Sequence, residues 1–302
     1  MRILRARSAG FCLGVSLALR RLDKELGEFL EAGRNHGSGG LPERRLITLG
    51  PIIHNPLVMR HYTDQGVICE SDPEHLTPSD TVVIRAHGIP RPLEDSLNSM
   101  GARLIDATCP KVKKAQLAIS KEYARGGVLI LFGENEHPEV KGLLSYAENN
   151  ALVFGVLDEL EKLPLNPALP YFLAAQTTQE RSAFKQARMI LEERLKRRIR
   201  CLDTICDATR DRQQEVHELA DRVDAMVVVG GLNSGNTRRL AEVARAKEVP
   251  TIHVEQVRAI SPDFEQEILL KAKTIGLTAG ASTPEEHINA MQAYLEGLAP
   301  DE

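Results

Sequence analysis

The chain of 302 residues is 42% hydrophobic and carries 38 basic against 42 acidic side chains, for a net charge of −4. That balance supplies no concentrated basic surface for nucleic acid, and no run reaches the roughly 18 apolar residues that cross a membrane. The length allows two ordinary domains or three small ones, with enough apolar side chains to build cores.

In chain order, Arg2–Arg5 reads as a strand running towards Cys12, and residues 14–22 then place apolar side chains at three- and four-residue intervals, the period of an amphipathic helix. Met1-Arg-Ile-Leu-Arg followed by residues 9–19 has the outline of a short signal peptide. No small-residue cleavage site follows it, and cutting there would remove Cys12, so export is not expected. Five cysteines with no close-spaced framework point instead to a reducing cytoplasm. Residues 33–42 are turn-rich and polar and read as an inserted surface loop. Strands follow at 46–50 and 81–86, the second leading into His87-Gly88, and Ala-Arg-Leu-Ile-Asp-Ala runs into Cys109. A helix over 111–123, a strand over 128–133 and a strand over Tyr171–Ala175 come next, the last leading into Gln176-Thr177-Thr178. Arg-Cys-Leu-Asp-Thr-Ile then runs into Cys206, followed by a helix over 208–223 and strands over 225–231 and 274–279.

Cys12, Cys109 and Cys206 are 97 residues apart, and each ends a strand-like run and precedes a helix. The pattern predicts twelve strands, four to each third, in an α/β fold of three similar small domains. The last third lacks a closing strand, so Arg2–Arg5 is expected to complete its sheet. The expected domains are 13–109, 110–206, and 207–302 joined by the N-terminal strand 1–12.

A cysteine in a strand-to-helix loop lies where binding residues concentrate in α/β proteins. A disulfide cannot join three sulfurs, and a structural zinc site usually closes four ligands. Three thiolates converging on a pseudo-threefold axis suit a 4Fe-4S cluster with one iron left without a protein sulfur. Cys69 and Cys201 fall outside the register and read as ordinary buried cysteines. The other loops carry His54-Asn55, His87, His137, Ser234, Gly235, Asn236 and Ser282, whose side-chain donors and neighbouring helix starts form a cradle for a phosphate-like anion. His36, His61, His75, His217, His253 and His287 lie off this pattern. Glu139, the one carboxylate in the set, reads either as a helix-start residue or as an enclosed proton source, with Thr177 placed to relay or orient the proton.

In order, the motifs Gly10-Phe-Cys-Leu-Gly-Val, Ile53-His-Asn, Ala86-His-Gly, Asp106-Ala-Thr-Cys-Pro, His137-Pro-Glu-Val, Gln176-Thr-Thr, Ile205-Cys-Asp-Ala-Thr, Asn233-Ser-Gly-Asn and Thr278-Ala-Gly-Ala-Ser resemble those of the 4-hydroxy-3-methylbut-2-enyl diphosphate reductases. The resemblance covers nearly the whole chain. It implies reductive dehydroxylation of that diphosphate to isopentenyl and dimethylallyl diphosphates, the last step of the non-mevalonate isoprenoid pathway. It also implies a trefoil of three α/β domains around an oxygen-sensitive 4Fe-4S cluster held by Cys12, Cys109 and Cys206. His54, His87, His137, Ser234, Asn236 and Ser282 would surround the diphosphate, Glu139 and Thr177 would lie near the departing hydroxyl, and reduced ferredoxin or flavodoxin would supply electrons. Gly235 stands where a serine is usual and Arg85 where a small residue is frequent. Quinolinate synthase shares the triplet of distant cysteines but not the diphosphate motifs. A non-catalytic iron-sulfur sensor is the reading from another class, distinguished by whether Glu139 is needed for turnover.

Overall fold

Val, Ile and Leu in near-continuous short runs, rather than alternating with polar residues, mark strands covered on both faces, and parallel pairing is what such strands adopt. A computed structural model describes residues 1–35, 44–148 and 150–298. The first elements are β1 (Arg2–Arg5), α1 (Leu13–Asn35), β2 (Leu46–Leu49), α2 (Pro56–Thr63), β3 (Ile68–Glu70), β4 (Thr81–Ile84), α3 (Arg91–Met100) and β5 (Arg103–Asp106). They are followed by α4 (Pro110–Tyr123), β6 (Val128–Phe132), α5 (Pro138–Ser145), β7 (Ala151–Phe154), α6 (Leu157–Lys162), β8 (Tyr171–Ala175), α7 (Arg181–Leu195) and β9 (Arg200–Cys201). The remaining elements are α8 (Asp207–Ala220), β10 (Ala225–Val229), α9 (Gly235–Arg245), β11 (Thr251–Val254), α10 (Pro262–Glu267), β12 (Thr274–Ala279) and α11 (Glu285–Gly297).

Among the described residues the strands form three four-stranded sheets with one topology, β3-β2-β4-β5, β7-β6-β8-β9 and β11-β10-β12-β1, and every pairing is parallel. The N-terminal strand does complete the last sheet, pairing Arg2 with Thr274 through Arg5 with Leu277. The strands leading towards Cys12, Cys109 and Cys206 are therefore the equivalent edge strands β1, β5 and β9.

Two compact units make up the chain. One comprises Met1–Leu13, His54–Val58 and Cys206–Glu302, and the other Gly14–Ile53 and Met59–Ile205. In the larger unit, alternate residues of the β6 and β8 strands face opposite cores. Ile130, Phe132 and Leu173 pack with Ala187, Leu191 and Leu195 of α7. Leu129, Leu131 and Phe172 pack with Ile119 of α4 and Val140 and Leu143 of α5. The smaller unit repeats the scheme, with Val227, Val229 and Leu277 against Ile288, Met291 and Leu295 of α11 and Met226 and Val228 against Val216, Leu240 and Ala244. The period-2 split gives each of these two sheets a core on both faces.

Three expectations are corrected. The first helix runs on from the predicted 14–22 to Asn35, so Gly33 to Asn35 are helical rather than the start of a loop. The rest of that predicted insertion, with His36, lies outside the described residues. The helix after Cys206 stops at Ala220, short of Val223. Cys69 is exposed on β3, an edge strand with one paired side, whereas Cys201 is half-buried against the β8 core as expected.

The entry of the first sheet is fastened by a charge pair. Arg45 grips buried Asp80 with Nε and Nη2 at 2.8 and 2.7 Å, and Thr77 N donates to Asp80 Oδ2 at 2.7 Å. Burial works to raise the Asp80 pKa, but these partners outweigh it and hold the carboxyl below its ordinary value. A depressed carboxylate adds stability that is present above its unfolded pKa and lost as pH falls. Asp80→Ala is expected to lower unfolding free energy by about 2 kcal/mol at neutral pH. In chemical denaturation the difference from wild type should shrink once pH falls below about 4.

Candidate active site

In the larger unit the ends of β4, β6 and β8 bring four of the predicted residues into two pairs. The rings of His87 and His137 meet edge to face with centroids 5.4 Å apart. His87 follows β4 and is succeeded by Gly88 at φ +73°, where a Cβ would come within 2.8 Å of Gln116 Nε2. Only glycine turns the chain so tightly there. His137 caps α5, and its Nδ1 accepts from Glu139 N at 3.1 Å. An accepting Nδ1 places the proton of the neutral ring on Nε2.

Glu139 is 1% exposed in the first turn of α5. Thr177 N donates to its Oε1 at 2.6 Å and Thr177 Oγ1 to its Oε2 at 3.0 Å. Burial raises the Glu139 pKa to about 7, against the pull of the two Thr177 bonds. This is the range in which an acid both holds and releases a proton at neutral pH. The hydroxyl of Thr177 can reverse from donor to acceptor when Glu139 is protonated, which makes the pair a ready proton conduit. Beside it, fully buried Gln176 accepts from Glu134 N at 3.1 Å through Oε1, and its Nε2 has no partner among the described residues.

The smaller unit gathers His54, Ser234, Gly235, Asn236 and Ser282. Asn55 Nδ2 donates to Ser282 O at 2.9 Å, its Oδ1 accepts from Leu57 N and Val58 N at the start of α2, and Ser282 Oγ donates to His54 O at 3.3 Å. Gly231 permits this turn to sit close, because a Cβ there would lie 2.5 Å from His54 O. Ser234 caps α9 by accepting from Thr237 N, which leaves its own O–H to donate. Asn236, 6% exposed in the first turn of α9, has an Nδ2 with no partner among the described residues. Unsatisfied buried donors at a helix start are what an anionic ligand would complete.

The cysteines occupy matching places. Cys109 N donates to Ala86 O at 2.9 Å, two residues past the end of β4, and Cys12 N donates to Ala281 O at 3.2 Å, two residues past the end of β12. Cys109 and Cys206 are the N-cap residues of α4 and α8, and neither spends its side chain on capping. All three are half-buried, and none of the five cysteines is in a disulfide.

The off-pattern histidines within the described residues serve other ends. His253 Nε2 lies 3.0 Å from Gly230 O, His75 pairs with Glu70, and His61 lies beside Gln65. One site residue carried no signal of its own. Arg212, 5% exposed and bonded to Gly10 O and Ala208 O, stands in a charged helical stretch that reads as solvated.

Three parallel sheets of one topology, with polar and thiol groups at the strand exits, define an α/β protein whose loops carry the chemistry. The chain belongs to the LytB family, whose model, described as LytB protein, matches residues 3–296. It is 56% identical over 298 residues to the 4-hydroxy-3-methylbut-2-enyl diphosphate reductase of Nitratidesulfovibrio vulgaris (strain DSM 19637 / Miyazaki F), covering 99% of this chain and all of the relative. The identically named protein of Desulfovibrio desulfuricans is 50% identical over 298 residues, covering the same shares. A solved structure of (E)-4-hydroxy-3-methyl-but-2-enyl diphosphate reductase superposes with a TM-score of 0.64 at 34% identity, over 98% of this chain and 100% of that one. The fold is also that of the Plasmodium falciparum reductase structure, with a TM-score of 0.86 at 24% identity over 97% of this chain and 87% of that one.

The approach of His54 to Gly231 can be tested directly. Gly231→Ala is expected to cost about 1–3 kcal/mol, because the new methyl meets backbone that cannot rotate away, and a lowered Tm with the His54 ring resonances displaced in NMR spectra checks it.

Proposed function

We infer that this chain reduces 4-hydroxy-3-methylbut-2-enyl diphosphate, the compound its relatives are named for, to isopentenyl and dimethylallyl diphosphates. The observation that carries the reading to the level of residues is the buried Glu139–Thr177 pair, an acid poised near neutrality at the exits of β6 and β8. The reaction consumes two electrons and two protons. One proton leaves with the hydroxyl as water and the other goes to carbon.

The proton on Glu139 is assigned to the departing hydroxyl, by way of Thr177 Oγ1. Burial keeps the acid protonated at a pH where an exposed glutamate would have lost its proton. Neutral His137 offers Nε2–H to the diphosphate, and His54, His87, Ser234, Asn236 and Ser282 are assigned to the same anion. Gly235, lacking a side chain, lets phosphate oxygen approach the first turn of α9 closely.

Cys12, Cys109 and Cys206 are assigned as the ligands of a 4Fe-4S cluster. Their equivalent places at the three edge-strand exits, their half-buried side chains beside helix starts and the lack of any disulfide fit that donor set. When bound, such a cluster supplies electrons and an iron without a protein ligand. The same reading takes 13–109, 110–206, and 207–302 with 1–12 as the three domains. It takes the cytoplasm as the compartment and a reduced ferredoxin or flavodoxin as the electron donor. No helix among the described residues is long and apolar enough to cross a membrane.

An anaerobic assay of the cluster-loaded protein with the diphosphate and a reduced one-electron dye, scoring both products, tests the function. Neither product forming in the presence of an intact cluster would refute it. For the acid, Glu139→Gln keeps the bonds to Thr177 but has no proton to give, so turnover is expected to fall at least about 100-fold with the cluster spectrum unchanged. In the wild type, turnover should decline as pH rises through about 7. The sign for stability follows from the same shift. A raised carboxyl pKa contributes stability that is full below the unfolded value and lost as pH rises through the folded one, so Glu139→Gln should gain on wild type by about 3 kcal/mol above pH 7 and by little near pH 4.

A further inference from the structure

Arg212 lies on α8, 5% exposed, and a guanidinium that deep in a protein is costly unless a negative charge meets it. Its Nη2 donates to Gly10 O at 2.9 Å and its Nη1 to Ala208 O at 3.1 Å, while Nε has no partner among the described residues. Both acceptors are neutral carbonyls. Gly10 stands two residues before Cys12 and Ala208 two residues after Cys206, so one side chain holds the two cysteine segments of this unit together.

No carboxylate pairs with Arg212 among the described residues. Glu215 spends its oxygens on Arg7 N at 2.6 Å, Ser8 N at 2.9 Å and the Ser8 hydroxyl, and Asp211 pairs with Arg210 at 2.8 Å. The charges that act on Arg212 most strongly belong to Cys12 and Cys206, ahead of Glu215 and Asp211. Burial pulls the Arg212 pKa down, and Cys12 and Cys206 work in the opposite direction.

We propose that Arg212 is a positioning residue whose buried guanidinium is the counter-cation of Cys12 and Cys206, tying their two segments together and making the cluster they hold easier to reduce. The proposal rests on the reading of these cysteines as cluster ligands. Reduction adds negative charge at the thiolates, and a fixed cation bonded to the segments that carry them stabilises the reduced state more than the oxidised one. Removing the cation must therefore shift the couple to lower potential. Arginine is suited to this double role because its fork reaches two carbonyls while its charge is permanent.

The test is an anaerobic redox titration of cluster-loaded protein, following the EPR signal of the reduced cluster, on wild type, Arg212→Gln and Arg212→Lys. At the wild-type midpoint, Arg212→Gln is expected to lower the ratio of reduced to oxidised cluster about ten-fold, which is about 59 mV for one electron. Arg212→Lys keeps the charge and is expected to stay within about two-fold of wild type. An unchanged midpoint in Arg212→Gln at wild-type iron content overturns the proposal, as does an equal shift in both variants. A second measurement serves if Arg212→Gln takes up little cluster. Its loss of Tm relative to wild type should be larger with the cluster reconstituted than in cluster-free protein, because the loaded site adds the negative charge that Arg212 meets. Equal losses would mean that Arg212 is only a tie between segments. Cys12→Ser and Cys206→Ser guard the underlying reading, since full iron content and an unaltered EPR signal in either variant would overturn the ligand assignment and the proposal with it.

Discussion

Parallel pairing is the constraint on which everything functional in this chain depends. Because neighbouring strands run the same way, the exits of all four strands in a sheet fall along one edge, and a residue two places past a strand end meets the equivalent loop of its neighbour. The bonds from Cys109 N to Ala86 O and from Cys12 N to Ala281 O are that rule applied twice, in sheets far apart in sequence. An antiparallel sheet would send alternate loops to opposite ends and scatter the same side chains. The apolar strands that make the pairing favourable, buried on both faces, are thus also what delivers the polar groups.

The Glu139 environment shows how a site residue is made from fold residues. Its carboxyl is buried at the start of α5, whose Val140 and Leu143 belong to the core, and among the described residues it meets only Thr177 in hydrogen bonding. Among those residues no lysine or arginine pairs with it, and a cation there would push the pKa down and leave a permanent carboxylate. Two neutral donors soften the burial penalty enough to keep the group able to ionise. The His137 cap serves the same residue from the other side, receiving the Glu139 N–H that the start of the helix leaves unbonded.

Much of this was legible in the sequence. The 97-residue spacing of Cys12, Cys109 and Cys206 gave away the repeat, and the missing last strand identified Arg2–Arg5 as the strand completing the third sheet, because a periodic pattern with one gap leaves a single place to fill. Helix lengths were less legible. The first helix continues past Leu22 because its later turns alternate buried Leu26 with charged residues, a pattern close enough to a surface loop's composition to hide its period. Arg212 was hidden for a deeper reason. A buried arginine among Arg210, Asp211 and Gln213 has the same local signature as an exposed one, and only the chain's return at Gly10, two hundred residues away in sequence, encloses it. Asn55 was legible as a member of the anion cradle, but its bond to Ser282 was not, because that partner lies in the last third.

His137 accepts on Nδ1, so in the arrangement seen here it offers a phosphate a dipole and a hydrogen bond but no net charge. The protein as a whole carries a net charge of −4, so its long-range field repels the anion it is assigned to bind. Short directional bonds from the imidazole, amide and hydroxyl groups must overcome that field at close range. Raising ionic strength screens the repulsion over about 10 Å or less at 0.1 M and leaves contact bonds nearly untouched, so added salt should quicken capture of the diphosphate, the reverse of what a basic anion-binding surface shows.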